Sequence, residues 1–274
     1  MERADAHLHL FADGYPGRYG RSPAGGEEVA IYQDIRREHR IDRALVVGYE
    51  GEPRFVGNND HLGALAATHD WIAPVAYVPS TGVPEQRLHR WRAAGFVGVA
   101  AYPTDTDRAD EFAAWLGTVA PVLTRTRAVI SLNATPAATG RLADALTAVP
   151  DCPVLLSHLG LPGTRATVPS GADAAEALAP LLDLARLPHV GVKISGLYAV
   201  SDPAHAWPHA AAAPYVEVLL ERFGTRRLYW GSDFPPSLDH VSFAQTLEPV
   251  GLDGLSPSER ADVFGANLRR ALGD

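Results

Sequence analysis

The sequence predicts an α/β fold, a single (β/α)8 barrel of the TIM type with extra C-terminal helices, spanning residues 1–274 as one domain. Three observations carry this. Apolar, β-rich runs alternate with helix-period segments along the whole chain without a break in composition. Several runs are continuously apolar, such as Ala44-Leu45-Val46-Val47 and Pro153-Val154-Leu155-Leu156, which suits strands buried on both faces of a parallel sheet. A doubly wound open sheet would normally place a glycine-rich phosphate turn after its first strand, and here that turn reads His7-Leu8-His9-Leu10-Phe11.

The strands are expected at Ala4–Leu10, Arg43–Tyr49, Ile72–Val78, Val97–Tyr102, Ala128–Asn133, Val154–His158, Val190–Ser195 and Arg227–Ser232. Helices are expected between them at roughly Glu27–Glu38, Asn59–Thr68, Pro84–Ala94, Ala109–Leu123, Pro136–Val149, Ala172–Leu184 and Ala210–Phe223. The tail adds Ser242–Thr246 and Ser256–Phe264. Ser256-Pro257-Ser258-Glu259 is a capping box with proline in the first helical turn, and Gly265 is expected to stop that helix.

Bulk properties narrow the function. Apolar residues make up 46% and charged residues 20%, with a net charge of −8 and no basic block, which argues against nucleic acid or an anionic membrane as partner. The single Cys152 excludes an intrachain disulfide and a thiolate metal cluster. No apolar run reaches the ~20 residues of a membrane span, and no signal-peptide pattern precedes the first strand, so a cytoplasmic protein is expected. Of the 24 basic residues only Lys193 is a lysine, which marks it as a place where a guanidinium would not serve.

Barrel chemistry sits at the C-terminal ends of the strands, so polar residues there form the shortlist. In the first strand His7 and His9 share a face roughly 7 Å apart along the backbone. Two such imidazoles can bind a metal or polarise a substrate oxygen. The sixth strand ends in Ser157-His158, the seventh in Lys193-Ile194-Ser195 and the eighth in Gly231-Ser232-Asp233. Asp233 can act as ligand, general base or turn cap. Lys193 lies in an apolar alternation and should point into the barrel or its rim, where an ammonium needs polar partners; a catalytic role and a structural one both stay open.

With those residues in place, the pattern resembles the amidohydrolase superfamily, in the amidohydrolase-2 branch of lactonases and decarboxylases. The matching motifs are Asp5-Ala6-His7-Leu8-His9-Leu10-Phe11, Ser157-His158-Leu159-Gly160, Val192-Lys193-Ile194-Ser195-Gly196-Leu197, Gly231-Ser232-Asp233-Phe234-Pro235 and Phe264-Gly265-Ala266-Asn267-Leu268-Arg269. The resemblance implies a distorted barrel with His7, His9, His158 and Asp233 at the active-site positions, and is strongest to sugar-lactone and pyrone-dicarboxylate lactonases. The chain departs from the branch in three ways. Asn133 stands where the decarboxylases place a further histidine, the fourth strand lacks a bridging lysine or glutamate, and Val99-Ala100-Ala101-Tyr102 lacks an arginine for substrate carboxylates.

These readings converge on hydrolysis of a lactone or similar cyclic ester. Asp233 is expected to activate water, with His158 as a second catalytic residue, while His7, His9 and His158 polarise the carbonyl. His7, His9, His158 and Asp233 are also the expected ligands of at most one divalent metal, zinc being the first candidate; metal-free operation of the same residues stays open. Substrate contacts are expected from Tyr15, Arg18, Arg54, Arg165, Tyr198 and Lys193, the arginines suiting a small substrate with an acidic group. Arg21, His205, Trp207 and His209 lie on the same loops. The alternatives are metal-dependent decarboxylation of an unsaturated or aromatic acid, and a degenerate barrel that only binds a ligand. The sequence leaves the oligomeric state undetermined.

Overall fold

In the computed structural model, which describes residues 1–274, eight parallel strands follow one another around a barrel in the order β1 to β8. They are β1 (Arg3–Leu8), β2 (Ile41–Val47), β3 (Ile72–Tyr77), β4 (Gly98–Ala101), β5 (Val129–Leu132), β6 (Val154–Leu156), β7 (Val190–Ile194) and β8 (Leu228–Trp230). Helices α1 (Glu28–Glu38), α2 (Asn58–Ala66), α3 (Glu85–Ala93), α4 (Thr106–Thr126) and α5 (Pro136–Leu146) fill the first five connections. Two short helices, α6 (Gly171–Ala177) and α7 (Ala179–Asp183), replace the single helix expected at Ala172–Leu184. Pro180 sits in the first turn of α7 and cannot continue a preceding helix, so the chain breaks at Leu178.

Local sequence explains where these helices begin. The Asp105 carboxylate accepts from the Arg108 amide at the start of α4, and Thr135 caps α5 ahead of Pro136. Ser170 forms a reciprocal box with Asp173 at α6. No helix is long and apolar enough to cross a membrane.

After β7, α8 (Ala213–Phe223) leads into β8, and α9 (Phe243–Thr246) follows. The Ser256 box starts α10 (Pro257–Ala261) as expected, but Gly265 does not stop the helix. The chain widens into a π turn over Asp262–Ala266 and continues as α11 (Asn267–Leu272), ending at Gly273 in the left-handed region. Gly265 serves another purpose. A Cβ there would stand 3.2 Å from both the Ala4 amide nitrogen and the Glu2 carbonyl oxygen, so its bare backbone lets the tail pack against the start of β1. Leu268 of α11 then joins the apolar interior of the barrel.

That interior is built from small and branched residues, among them Ala4, Ala6, Leu45, Val47, Ala73 and Val75. A larger apolar layer packs between strands and helices, with Phe112, Tyr215 and Trp230 fully buried. The barrel is distorted at β1, whose register against β2 shifts between Asp5 and Leu8. β1 and β8 meet through a seam rather than a regular ladder. The Asp233 amide donates to the His7 carbonyl at 2.7 Å, and the His9 amide donates to the Phe234 carbonyl at 2.7 Å.

Glycine at the seam is obligatory. A Cβ on Gly231 would lie 2.7 Å from the His7 Cβ, whereas Gly117, exposed in α4, has nothing within 4 Å. Gly231→Ala should therefore destabilise the fold by about 1–3 kcal/mol through overpacking. Gly117→Ala should stabilise it by up to about 1 kcal/mol through helix propensity. Denaturant melts of the two variants give the comparison; equal shifts would contradict the seam geometry.

Candidate active site

The strand ends bring His7, His9, His158 and Asp233 together. His7 Nε2 lies 3.6 Å from Asp233 Oδ1, His9 Nε2 3.8 Å from the same oxygen, and His158 Nδ1 4.0 Å from Oδ2. The His7 ring sits edge-on to both other imidazoles, with centroids 5.1 Å from His9 and 4.6 Å from His158. Tyr198 donates its hydroxyl to Asp233 Oδ2 at 2.6 Å. All four cluster residues are buried.

The backbone aims two of them by force. Asp233 and His158 have φ of 56° and 53°, the left-handed region that L-residues seldom occupy. Tight turns at the ends of β6 and β8 thus turn these side chains inward, a strain that surrounding structure has to hold.

Behind the cluster lies a polar layer. Lys193, fully buried, contacts His7 Nδ1 at 3.0 Å and donates to Ser131 Oγ at 2.7 Å. Ser157 Oγ lies 3.3 Å from the same His7 nitrogen, and Ser195 Oγ lies 3.1 Å from His158 Nδ1. The His9 Nδ1–H donates to the Val47 carbonyl at 2.7 Å, which leaves a lone pair on its Nε2 facing Asp233. His7 is arranged the opposite way. A charged Lys193 can only donate to Nδ1, so the ring proton then sits on Nε2. That Nε2 is buried without a hydrogen-bond partner in the protein.

Burial dominates the electrostatics. It raises Asp233 to about 6, against the opposing pull of His9, the Tyr198 hydrogen bond and Lys193. Burial, aided by the Lys193 charge, lowers His158 to about 4 and holds His7 well below its ordinary value. Burial also lowers Lys193 to about 7, while Asp233 and Asp5 oppose that shift. At neutral pH the cluster therefore presents an ionised carboxylate among neutral imidazoles.

A further carboxylate lies beneath. Asp5 Oδ1 accepts from the His7 amide at 3.1 Å and the Ser232 amide at 2.9 Å, and Oδ2 accepts the Tyr32 hydroxyl at 2.9 Å. Nothing in the sequence assigns Asp5 that role, because its partners lie 27 and 227 residues away. Ser131, Ser157 and Ser195 are hidden for the same reason.

The expected substrate contacts divide. Tyr198 and Lys193 belong to the cluster. Tyr15 and Arg54 line one cleft with Phe11 and Arg21, beside the mouth, where Arg54 is paired with Glu52 at 2.8 Å. The Arg18 amide donates to Asp239 at 2.8 Å, joining the loops after β1 and β8, while its guanidinium lies over Tyr19. Arg165 does not reach the cluster through any hydrogen bond; its Nε donates to Tyr215 of α8 at 3.1 Å. His209 turns to the Ala204 carbonyl.

Residues 4–273 match the family model described as Amidohydrolase, and the chain belongs to that family. Two curated relatives are L-fucono-1,5-lactonases. The one from Burkholderia multivorans is 31% identical over 127 residues, 43% of this chain and 42% of the relative. The one from Burkholderia ambifaria is 36% identical over 94 residues, 31% of each. The matched stretches thus span less than half the length of either lactonase. Among solved structures, a protein from Acinetobacter baumannii described as a probable 2-pyrone-4,6-dicarboxylic acid hydrolase, with citric acid bound, superposes with a TM-score of 0.75 at 19% identity over 100% of both chains. An amidohydrolase from Burkholderia multivorans with bound zinc gives 0.75 at 20% identity, covering 100% of this chain and 99% of its own.

Family membership raises the question of a metal, and the donor set fits one ion. Ligand atoms of His7, His158 and Asp233 lie within 4.8 Å of one another, and the partnerless His7 Nε2 points among them. His9 has the carbonyl-bonded second nitrogen typical of a metal-bound imidazole. His7 could join such a set only by presenting a lone pair, which requires Lys193 to be neutral.

The buried charge yields a stability test. Asp233 titrates higher in the fold than its unfolded value of 3.8, so its ionised form costs stability once pH rises above that unfolded value, and the full cost applies above about 6. Asp233→Asn removes the charge and tolerates the left-handed backbone. Its melting midpoint at pH 7 should match or exceed wild type, by on the order of 1–2 kcal/mol. Asp5→Ala should instead cost about 2–4 kcal/mol, because it strands two buried amides and a tyrosine hydroxyl.

Proposed function

We propose that the chain hydrolyses the ring ester of a lactone, with Asp233 as the general base. The observation that carries this reading is the single buried carboxylate facing three neutral imidazoles at the mouth of an amidohydrolase barrel. The lactonase names of the two partial relatives support the substrate class.

Asp233 takes a proton from water as the water oxygen bonds to the lactone carbonyl carbon. A carboxylate raised to about 6 is ionised at neutral pH yet basic enough for this step. Tyr198 holds Oδ2 and leaves Oδ1 for the water. The developing oxyanion is met by the His7 Nε2–H, which charged Lys193 fixes from behind. When the ring C–O bond breaks, Asp233 returns its proton to the leaving oxygen. One water is consumed, and the product is a hydroxy acid. His158 stays neutral throughout, held by Ser195, and shapes the wall against which the carbonyl lies.

A divalent ion, zinc first among candidates, would be held by His7, His158 and Asp233 with His9 alongside; with Lys193 then neutral it would supply Lewis-acid polarisation of the carbonyl in place of the His7 Nε2–H. The small-molecule substrate requires neither nucleic acid nor membrane as partner.

The test is hydrolysis of an aldono-1,5-lactone followed by acid release above the spontaneous rate. Asp233→Asn should lower kcat by ~10²- to 10⁴-fold while the protein stays folded. Tyr198→Phe should lower it less, by roughly 10-fold, since one hydrogen bond to the base is lost. Undiminished turnover in folded Asp233→Asn would sink the mechanism, and its absence in wild type would favour the binding-only barrel.

A further inference from the structure

The loop after β1 stands at the mouth with little to hold it. Residues 12–26 form no helix or strand, and Gly17 and Gly20, on either side of the tip, take φ of 60° and 74°. The buried Glu28 carboxylate fixes the root by accepting from the Phe11 and Tyr15 amides and the Ser22 hydroxyl. One exposed hydrogen bond fixes the tip, from the Arg18 amide to Asp239 Oδ2 at 2.8 Å. The loop is undercut on both sides. A cleft of about 350 Å³ opens between it and Arg54 and Phe55 after β2, and one of about 560 Å³ between it and Leu238 and Asp239 after β8.

The underside of this loop faces the site. Phe11 stacks on His9 with centroids 5.6 Å apart, and Tyr15 on Phe11 at 6.2 Å. The charges of Asp239 and Asp233 both reach the Tyr15 hydroxyl.

A short route joins Asp239 to the base. The tight helical turn Pro236–Asp239 begins where the Ser237 amide donates to the Asp233 carbonyl at 2.9 Å. It ends where the His240 amide donates to the Ser237 carbonyl, also at 2.9 Å. His240 then lays its ring flat on Tyr198, with centroids 4.4 Å apart and 17° between the planes. Tyr198 is the residue whose hydroxyl donates to Asp233 Oδ2 at 2.6 Å. The His240 Nδ1 is buried without a hydrogen-bond partner, so stacking on Tyr198 is what seats the ring.

We infer that residues 12–26 are a flap over the mouth, that Asp239 is its latch, and that His240 is a positioning residue through which the latched flap steadies Tyr198 on Asp233. Closure of the mouth and the aim of the base are then one event. A flap held at its tip by a single exposed bond opens readily, which lets a product hydroxy acid leave. The donor is a backbone amide, so the latch does not depend on the Arg18 guanidinium. This rests on the reading of Asp233 as the base and adds to it how that base is regulated.

Two measurements on the full chain test it without turnover. Hydrogen–deuterium exchange over residues 12–26, read by mass spectrometry, should quicken about 3- to 10-fold in Asp239→Ala. It should stay near wild type in Asp239→Asn, whose amide oxygen still accepts. Equal exchange in α4 shows that both variants are folded. Fluorine NMR of the chain labelled with 3-fluorotyrosine reads the clamp, the Tyr198 signal being identified by its loss in Tyr198→Phe. That signal should broaden in His240→Ala and in Asp239→Ala, and stay sharp in His240→Phe, which keeps the stack. Unchanged loop exchange in Asp239→Ala would overturn the latch, and a Tyr198 signal indifferent to Asp239→Ala would overturn the coupling. Lactone hydrolysis is scored separately: latch and clamp without hydrolysis sink the reaction and leave the flap standing, whereas hydrolysis with neither response does the opposite.

Discussion

The mouth of this barrel depends on the buried carboxylate of Asp5. A closed barrel needs its first and last strands to meet, yet β1 and β8 lack a regular ladder where the His7, His9 and Asp233 cluster sits. Asp5 bridges the gap by accepting one amide from each strand, and Tyr32 of α1 holds its other oxygen. Burial raises Asp5 to about 6, so its ionised form is sustained by those donors. Position of the His7 and His9 imidazoles relative to Asp233 follows from this seam, since the backbone bonds between His7, His9, Asp233 and Phe234 form just above it.

The site above the seam combines strain with desolvation. His158 and Asp233 occupy left-handed backbone, and Asp233 carries its charge at 2% exposure. Both features cost stability, and both suit the proposed general base, because a carboxylate stripped of water is a stronger base and one held in a fixed direction needs no reorganisation. The seam and the apolar layer around the barrel supply what the site gives up. A protein organised in this way should tolerate change at exposed helix positions far better than at the strand ends.

Much of the fold was legible in the sequence, because strands buried on both faces leave continuous apolar runs and helices leave caps such as Ser256-Pro257-Ser258-Glu259. The strands stop one or two residues earlier than those runs suggest, since Tyr49, Tyr102, Asn133 and Ser195 continue the pattern while turning toward the mouth. Gly265 misled as a helix stop, because its lack of a side chain serves a close approach to β1 that local sequence cannot show. Within the site, His7, His9, His158 and Asp233 stand out as polar residues at apolar strand ends. Asp5 and Ser131 do not, since each acquires meaning only from partners on other elements. The loop arginines were the weakest guide: in a chain whose basic residues are almost all arginine, Arg165 reads like Arg54 until Tyr215 is seen to hold it.

The most direct measurement is enzymatic opening of an uncharged aldono-1,5-lactone in ¹⁸O-labelled water, with the product resolved by mass spectrometry and the spontaneous rate subtracted. The account predicts one labelled oxygen, in the new carboxyl group, with the rate in excess of background dependent on Asp233. Label in the alcohol oxygen, release of carbon dioxide, or an enzymatic rate unchanged by Asp233→Asn would contradict it.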